Sequence, residues 1–185
     1  SYHTVMLKAF FEENARTGND GNTFFQLLNR QLLGQQGGGR MVTATFIRVF
    51  PCFTKGEIVC DGHRAMLRVR PAPSPLMSFK MTGDVLGIHD TVHFEKRVFK
   101  LSPGDRYLIY TDGIPGAQRI DGKTGDKSKL SQKGLERFLR RHRAKPLEAM
   151  VAGVWNDVLS YCHYKPVDDM LLFAFEIPDG NKQQK

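Results

Sequence analysis

In Asp105-Arg106-Tyr107-Leu108-Ile109-Tyr110-Thr111-Asp112-Gly113-Ile114, an apolar and aromatic run passes directly into Asp-Gly. Such a run reads as a buried strand. An aspartate at its end projects from a rigid element, and the glycine after it lets the backbone turn closely beside a ligand. A second segment has the same character. Val167-Asp168-Asp169-Met170-Leu171-Leu172 sets paired carboxylates at the mouth of another apolar strand. Adjacent carboxylates repel unless a cation or a basic group lies beside them. Oxygen donors of this kind suit the hard cations Mg²⁺ and Mn²⁺. Taken singly, Asp-Gly after a strand is an ordinary turn and Asp-Asp before one is a solvated loop.

Outward from these segments the chain is regular. The spacing of Val5, Met6, Ala9 and Phe10 predicts a helix from Thr4 to about Ala15, and Thr17-Gly-Asn-Asp-Gly-Asn22 is turn chemistry. A second helix carries Phe24, Leu27, Leu28, Gln31 and Leu32, and ends at Gly34 before Gly37-Gly38-Gly39. Met41 to Phe50 is strand-like, and Glu57–Asp61 with Ala65–Arg70 reads as a hairpin around Gly62-His63. The three prolines of residues 71–75 require a loop. Short strands fit Met77–Lys80, Val92–Lys100 and Arg106–Thr111. Gly113 to Lys129 reads as a long polar loop of functional type. Helices follow over Ser131–His142 and Pro146–Tyr161, then a buried strand over Met170–Ile177 and a polar tail, residues 179–185. Helices segregated from mostly adjacent strands predict an α+β class.

The 185 residues fit one compact domain, and 41% hydrophobic with 25% charged residues is ordinary for a globular protein. No apolar run is long enough to suggest a membrane span, and the N-terminal residues 1–14 turn amphipathic and charged too early for a signal peptide. Three cysteines (Cys52, Cys60, Cys162) without CxxC spacing argue against a disulfide framework and a zinc site, and for a reducing cytoplasm. The formal charge of +8 could steer the chain toward an acidic protein or nucleic acid. The one basic run, Arg137 to Lys145, sits at a helix end where positive charge complements the dipole, and no aromatic-rich basic motif accompanies it. Nucleic acid is therefore not the expected partner. The histidines His3, His89, His93, His142 and His163 show no paired ligand spacing.

Together the motifs resemble a family. Asp105 to Ile114 looks like the "GD..l.YTDGi" element of the metal-dependent protein phosphatases, and within them of the bacterial SpoIIE-like stress and sporulation branch. Val167-Asp-Asp-Met-Leu-Leu resembles that branch's terminal "DDMT" strand, and Gly122 through Leu130 with the helices after it resembles the flap and helical insert. Met41-Val-Thr-Ala44, Gly62-His63 and Asp84-Val-Leu-Gly87 resemble its "fvTa" strand, "aGH" hairpin and "G..LG" turn. Lys8-Ala9-Phe10 and Leu28-Asn29 match positions in its first two helices. The matches run collinearly through nearly the whole chain, residues 1–178.

The resemblance implies a sandwich of two antiparallel β-sheets flanked by helices. It implies two or more Mn²⁺ or Mg²⁺ ions held by Asp112 and Asp168, with Gly113 and Asp169 adjacent to the metals and Gly62 and His63 on the substrate side. A metal-activated water, not a side chain, would attack phosphoserine or phosphothreonine on a regulatory protein such as an anti-sigma-factor antagonist. Family members often dimerise. The sequence starts after the family's "GDvsGHG" element, which contributes a bridging aspartate. Either a fragment of a longer protein or a non-catalytic relative that binds its partner without turnover satisfies that departure. Pro115-Gly116, Leu171 and Asp61 also depart from the family pattern.

Overall fold

The computed structural model describes residues 2–14, 16–34, 41–51, 53–60 and 66–178. In chain order the elements are α1 (Tyr2–Asn14), α2 (Gly21–Leu33), β1 (Thr45–Val49), β2 (Lys55–Cys60), β3 (Leu67–Val69), β4 (Met77–Ser78), β5 (Lys96–Lys100), β6 (Arg106–Tyr110), β7 (Gln118–Ile120), β8 (Lys127–Lys129), α3 (Ser131–His142), α4 (Leu147–Tyr161) and β9 (Leu172–Glu176). The class is α+β, antiparallel sheets flanked by helices, as the element order predicts. None of the described helices is long and apolar enough to cross a membrane. The fold divides into two compact units, Ser1–His63 with Met81–Lys100, and Arg64–Lys80 with Leu101–Lys185.

In the first unit the sheet order is β1-β2-β5, antiparallel throughout. Helix α2 begins because Asp20 caps it: the Thr23 N–H donates to its carboxylate at 2.9 Å. It stops at Gly34, whose N–H donates to the Arg30 carbonyl at 3.0 Å. One face of the helix, Phe24, Phe25, Leu28 and Leu32, packs on Val59 and on Phe46 and Phe94. Asn29 on the same face is fully buried and bonded at both ends. Its Oδ1 accepts the Gly87 N–H at 2.8 Å, and its Nδ2 donates to the His89 carbonyl at 2.8 Å. Leu28-Asn29 and Asp84–Gly87, two of the resembling motifs, thus meet.

The hairpin expected between Glu57–Asp61 and Ala65–Arg70 does not form. β2 is flanked by β1 and β5, whereas β3 lies in another sheet between β4 and β6. Both are interior strands with near-continuous burial. A local Gly-His turn signal predicts a reversal but not which neighbour a strand pairs with. Gly62 and His63 themselves, with Asp61, Cys52, the Gly37–Gly39 loop and residues 179–185, lie outside the described residues.

The second unit carries the sheet β4-β3-β6-β9. One face of β6, Leu108 and Tyr110, joins Leu67 and Val69 of β3 and the apolar faces of α3 (Leu135, Phe138, Leu139) and α4 (Met150, Val154, Val158). On the other face Tyr107 stacks on Phe175, its cross-strand partner, with ring centroids 5.2 Å apart. Asp105, buried before β6, accepts a forked pair of hydrogen bonds from Arg70 and one from the Tyr107 hydroxyl. Burial, and then the Asp105 charge, push the Tyr107 phenol up to about 12.

The segment after Asp112, read from sequence as a loop, contains a hairpin of β7 and β8. Its turn is held by Asp121, whose Oδ1 accepts the N–H groups of Lys123 and Thr124 at 2.8 and 3.1 Å. These two bonds lower its pKa. The strands are short and almost wholly exposed, so no alternation of apolar residues marks them.

Candidate metal centre

Strands β6 and β9 are antiparallel neighbours, and Tyr110 pairs with Leu172 at one end of the ladder. The chain leaving β6 and the chain entering β9 therefore meet at the same end of the sheet. Thr111 fastens them. Its N–H donates to the Leu171 carbonyl at 3.1 Å. Its hydroxyl donates to the Asp169 carbonyl at 3.0 Å and accepts the Leu171 N–H at 2.8 Å.

Gly113 completes the closure. A Cβ there would overlap the Asp169 carbonyl oxygen, so only glycine lets the two segments touch. The turn beyond is pinned by the buried Ile114 and Pro115 and by the Gly116 N–H, which donates to the Asp112 carbonyl at 2.8 Å.

Asp112 and Asp168 line one open cleft of about 540 Å³ together with Gln118, Lys129, Ser131 and Gln132. Both are exposed, and neither carboxylate makes an ion pair among the described residues. Asp168 Oδ1 accepts the Asp169 N–H at 2.8 Å, which fixes its orientation. Asp169 enters through its backbone, as the acceptor for Thr111 and the donor to Asp168. Gly62 and His63 cannot be placed against this cleft, being outside the described residues.

The donor set is of hard oxygens. Two carboxylates with water completing the shell is a normal complement for Mg²⁺ or Mn²⁺. Among the described residues no third His, Cys, Asp or Glu joins them. Carboxylates of this kind are the donor type that a divalent ion takes, and a pair of ions would need further acidic donors.

Sequence reasoning does not single out Thr111, Lys129 or Gln132. A hydroxyl between a strand and Asp-Gly is a readable signal for Thr111, but its partners lie 58 and 60 residues away.

A family model described as Stage II sporulation protein E (SpoIIE) matches residues 1–178. The curated proteins compared give no sequence match. Solved structures of similar fold include the SiaA-PP2C domain of Pseudomonas aeruginosa, at 16% identity and TM-score 0.64, over 84% of this chain and 58% of that one. A second is the Mn-presoaked phosphatase domain of the cell fate determinant SpoIIE from Bacillus subtilis, at 14% identity and TM-score 0.60, over 94% and 74%. A third is the RsbU and RsbW domains of Rv1364c from Mycobacterium tuberculosis, at 19% identity and TM-score 0.73, over 94% and 47%. The chain therefore spans little more than half the length of the first and about half that of the third. Identities this low speak for the fold.

Proposed function

Because the chain belongs to the stage II sporulation protein E (SpoIIE) family and shares the fold of PP2C phosphatase domains, we propose that it is a metal-dependent protein serine/threonine phosphatase. Its substrate in this reading is a phosphoserine or phosphothreonine of a regulatory protein, an anti-sigma-factor antagonist in a bacterial sigma-factor or stress-signalling switch. The observation that carries the reading is the shared cleft of Asp112 and Asp168, unpaired carboxylates brought together by neighbouring strands.

In this reading both carboxylates hold Mn²⁺ or Mg²⁺. A divalent ion supplies Lewis-acid chemistry, acidifying water and neutralising phosphoryl oxygens. Asp169, through its N–H to Asp168, and Thr111, through the strand junction, hold the donors in place. Lys129, in the same cleft, contributes a positive charge toward the phosphoryl oxygens. Gln132 presents an amide that can hydrogen-bond substrate or water.

The test is phosphate release from phosphoserine and phosphothreonine peptides by the natural full-length protein in Mn²⁺. Turnover should be lost in Asp112→Ala and Asp168→Ala. Wild-type turnover no greater than that of Asp112→Ala would sink the enzymatic reading. The second reading is a non-catalytic protein that binds the same partner as a regulator. Calorimetric titration separates the two: the enzyme takes up two or more ions per chain, the regulator one or none.

A further inference from the structure

Beside the carboxylate cleft, and sharing Lys129 and Ser131 with it, lies a second and larger cleft of about 700 Å³ between α3, α4 and the β7–β8 hairpin. Its charge is one-sided. Arg119, Lys129, Lys133 and Arg137 line it, and none makes an ion pair among the described residues. Its single acid, Asp157, is already taken, with Arg141 Nη1 at 2.9 Å and His142 Nε2 at 2.9 Å. Two of the guanidinium groups lie over aromatic rings. Arg119 lies 5.6 Å from the Tyr161 ring centroid, and Arg137 lies 5.6 Å from that of Phe138. Tyr161 in turn donates to the Ser128 carbonyl at 3.2 Å, tying the hairpin to α4.

Guanidinium groups resting over rings gain a cation–π contact, and their forked donors match carboxylate and phosphate oxygens. We propose that this cleft binds an acidic stretch of the protein substrate, flanking the phosphoresidue that enters the carboxylate cleft. Acidic polypeptide fits better than nucleic acid. The two rings in the cleft already carry guanidinium groups and are not free to stack on bases. The two clefts share Lys129 and Ser131 in their walls and so lie side by side, where an extended chain bound in one can cross into the other. Only the identification of the acidic stretch with the substrate rests on the phosphatase reading.

The experiment is fluorescence anisotropy of a labelled glutamate-rich peptide on the natural full-length protein without metal, so that no turnover is needed. Binding should weaken as salt rises and fall about tenfold or more in Arg119→Glu/Arg137→Glu. Lys133→Glu should weaken it also, and this substitution places an acid in the first turn of α3, where the helix dipole favours it. Lys100→Glu, the same charge change on exposed β5, should leave binding intact. Equal binding by all variants, or an equal loss in Lys100→Glu, would overturn the proposal. So would single-stranded oligo-dT binding more tightly than the peptide through the same residues. Asp112→Ala should still bind the peptide. If the cleft variants lose binding while wild type shows no Mn²⁺-dependent turnover, the cleft stands and the phosphatase reading fails. If wild type turns over phosphopeptide while the cleft variants bind the acidic peptide as tightly as wild type, the phosphatase reading stands and the cleft proposal fails.

Discussion

Thr111 carries no charge and contacts no expected ligand, yet its hydroxyl is donor to Asp169 and acceptor for Leu171. Thr111→Val keeps the shape and removes both bonds. It should cost about 1–3 kcal/mol in urea unfolding and weaken Mn²⁺ binding by calorimetry, with Thr111→Ser restoring most of each. Gly113→Ala tests the same junction from the opposite segment. The added methyl would meet a backbone oxygen, that of Asp169, and not a flexible side chain that can move away. Expected are a loss of about 1–3 kcal/mol and a fall in Mn²⁺ affinity. Gly122→Ala, where nothing lies within 4 Å, should change neither. The places of Asp112, Gly113 and Asp168 at strand ends are legible in the sequence because an apolar run passing into or out of an acidic pair or Asp-Gly is a local pattern. Thr111 is not, because what a hydroxyl does depends on the register of a strand far along the chain.

The start of α2 shows how one side chain sets an element's response to pH. Asp20 caps the helix and also accepts a hydrogen bond from Lys96 Nζ of β5 at 2.7 Å. The bond from Lys96, then that from the Thr23 N–H, hold its carboxyl at about 2 instead of the ordinary 3.8. A depressed carboxyl stabilises the fold fully above its unfolded pKa and loses that contribution as pH falls through the folded one. Asp20→Ala should therefore cost about 1 kcal/mol near neutrality, with the difference from wild type shrinking between pH 3.8 and about 2 in urea melts. Helices are the legible elements. Their 3.6-residue periodicity, Gly34 after α2 and Pro146 before α4 all act within a few residues. Strand partnership is not local, which is why the turn signal near Gly62 misassigns β2 and β3. The β7–β8 hairpin has no apolar pattern to betray it, and Asp121 holds its turn through side-chain bonds that leave no periodic mark.

For the molecule as a whole, the proposed cation binding carries a consequence for stability. An ion bound only by the folded state stabilises it by mass action, by about 2.7 kcal/mol at a hundredfold excess over its dissociation constant. Thermal unfolding of the protein should move upward with added Mn²⁺, and the double variant Asp112→Ala/Asp168→Ala should melt at one temperature whatever the Mn²⁺ concentration. An unchanged wild-type melt would argue against the two carboxylates as ligands. The pairing of β6 with β9 has a further consequence during translation. Asp112 leaves the ribosome well before Asp168, with a hairpin and two helices synthesised in the interval. A nascent chain ending at Tyr161 owns the hydrophobic helices but lacks both β9 and the Asp168 side of the cleft. The carboxylate cleft in this half of the fold is thus completed late in biosynthesis, and incomplete products are born without it.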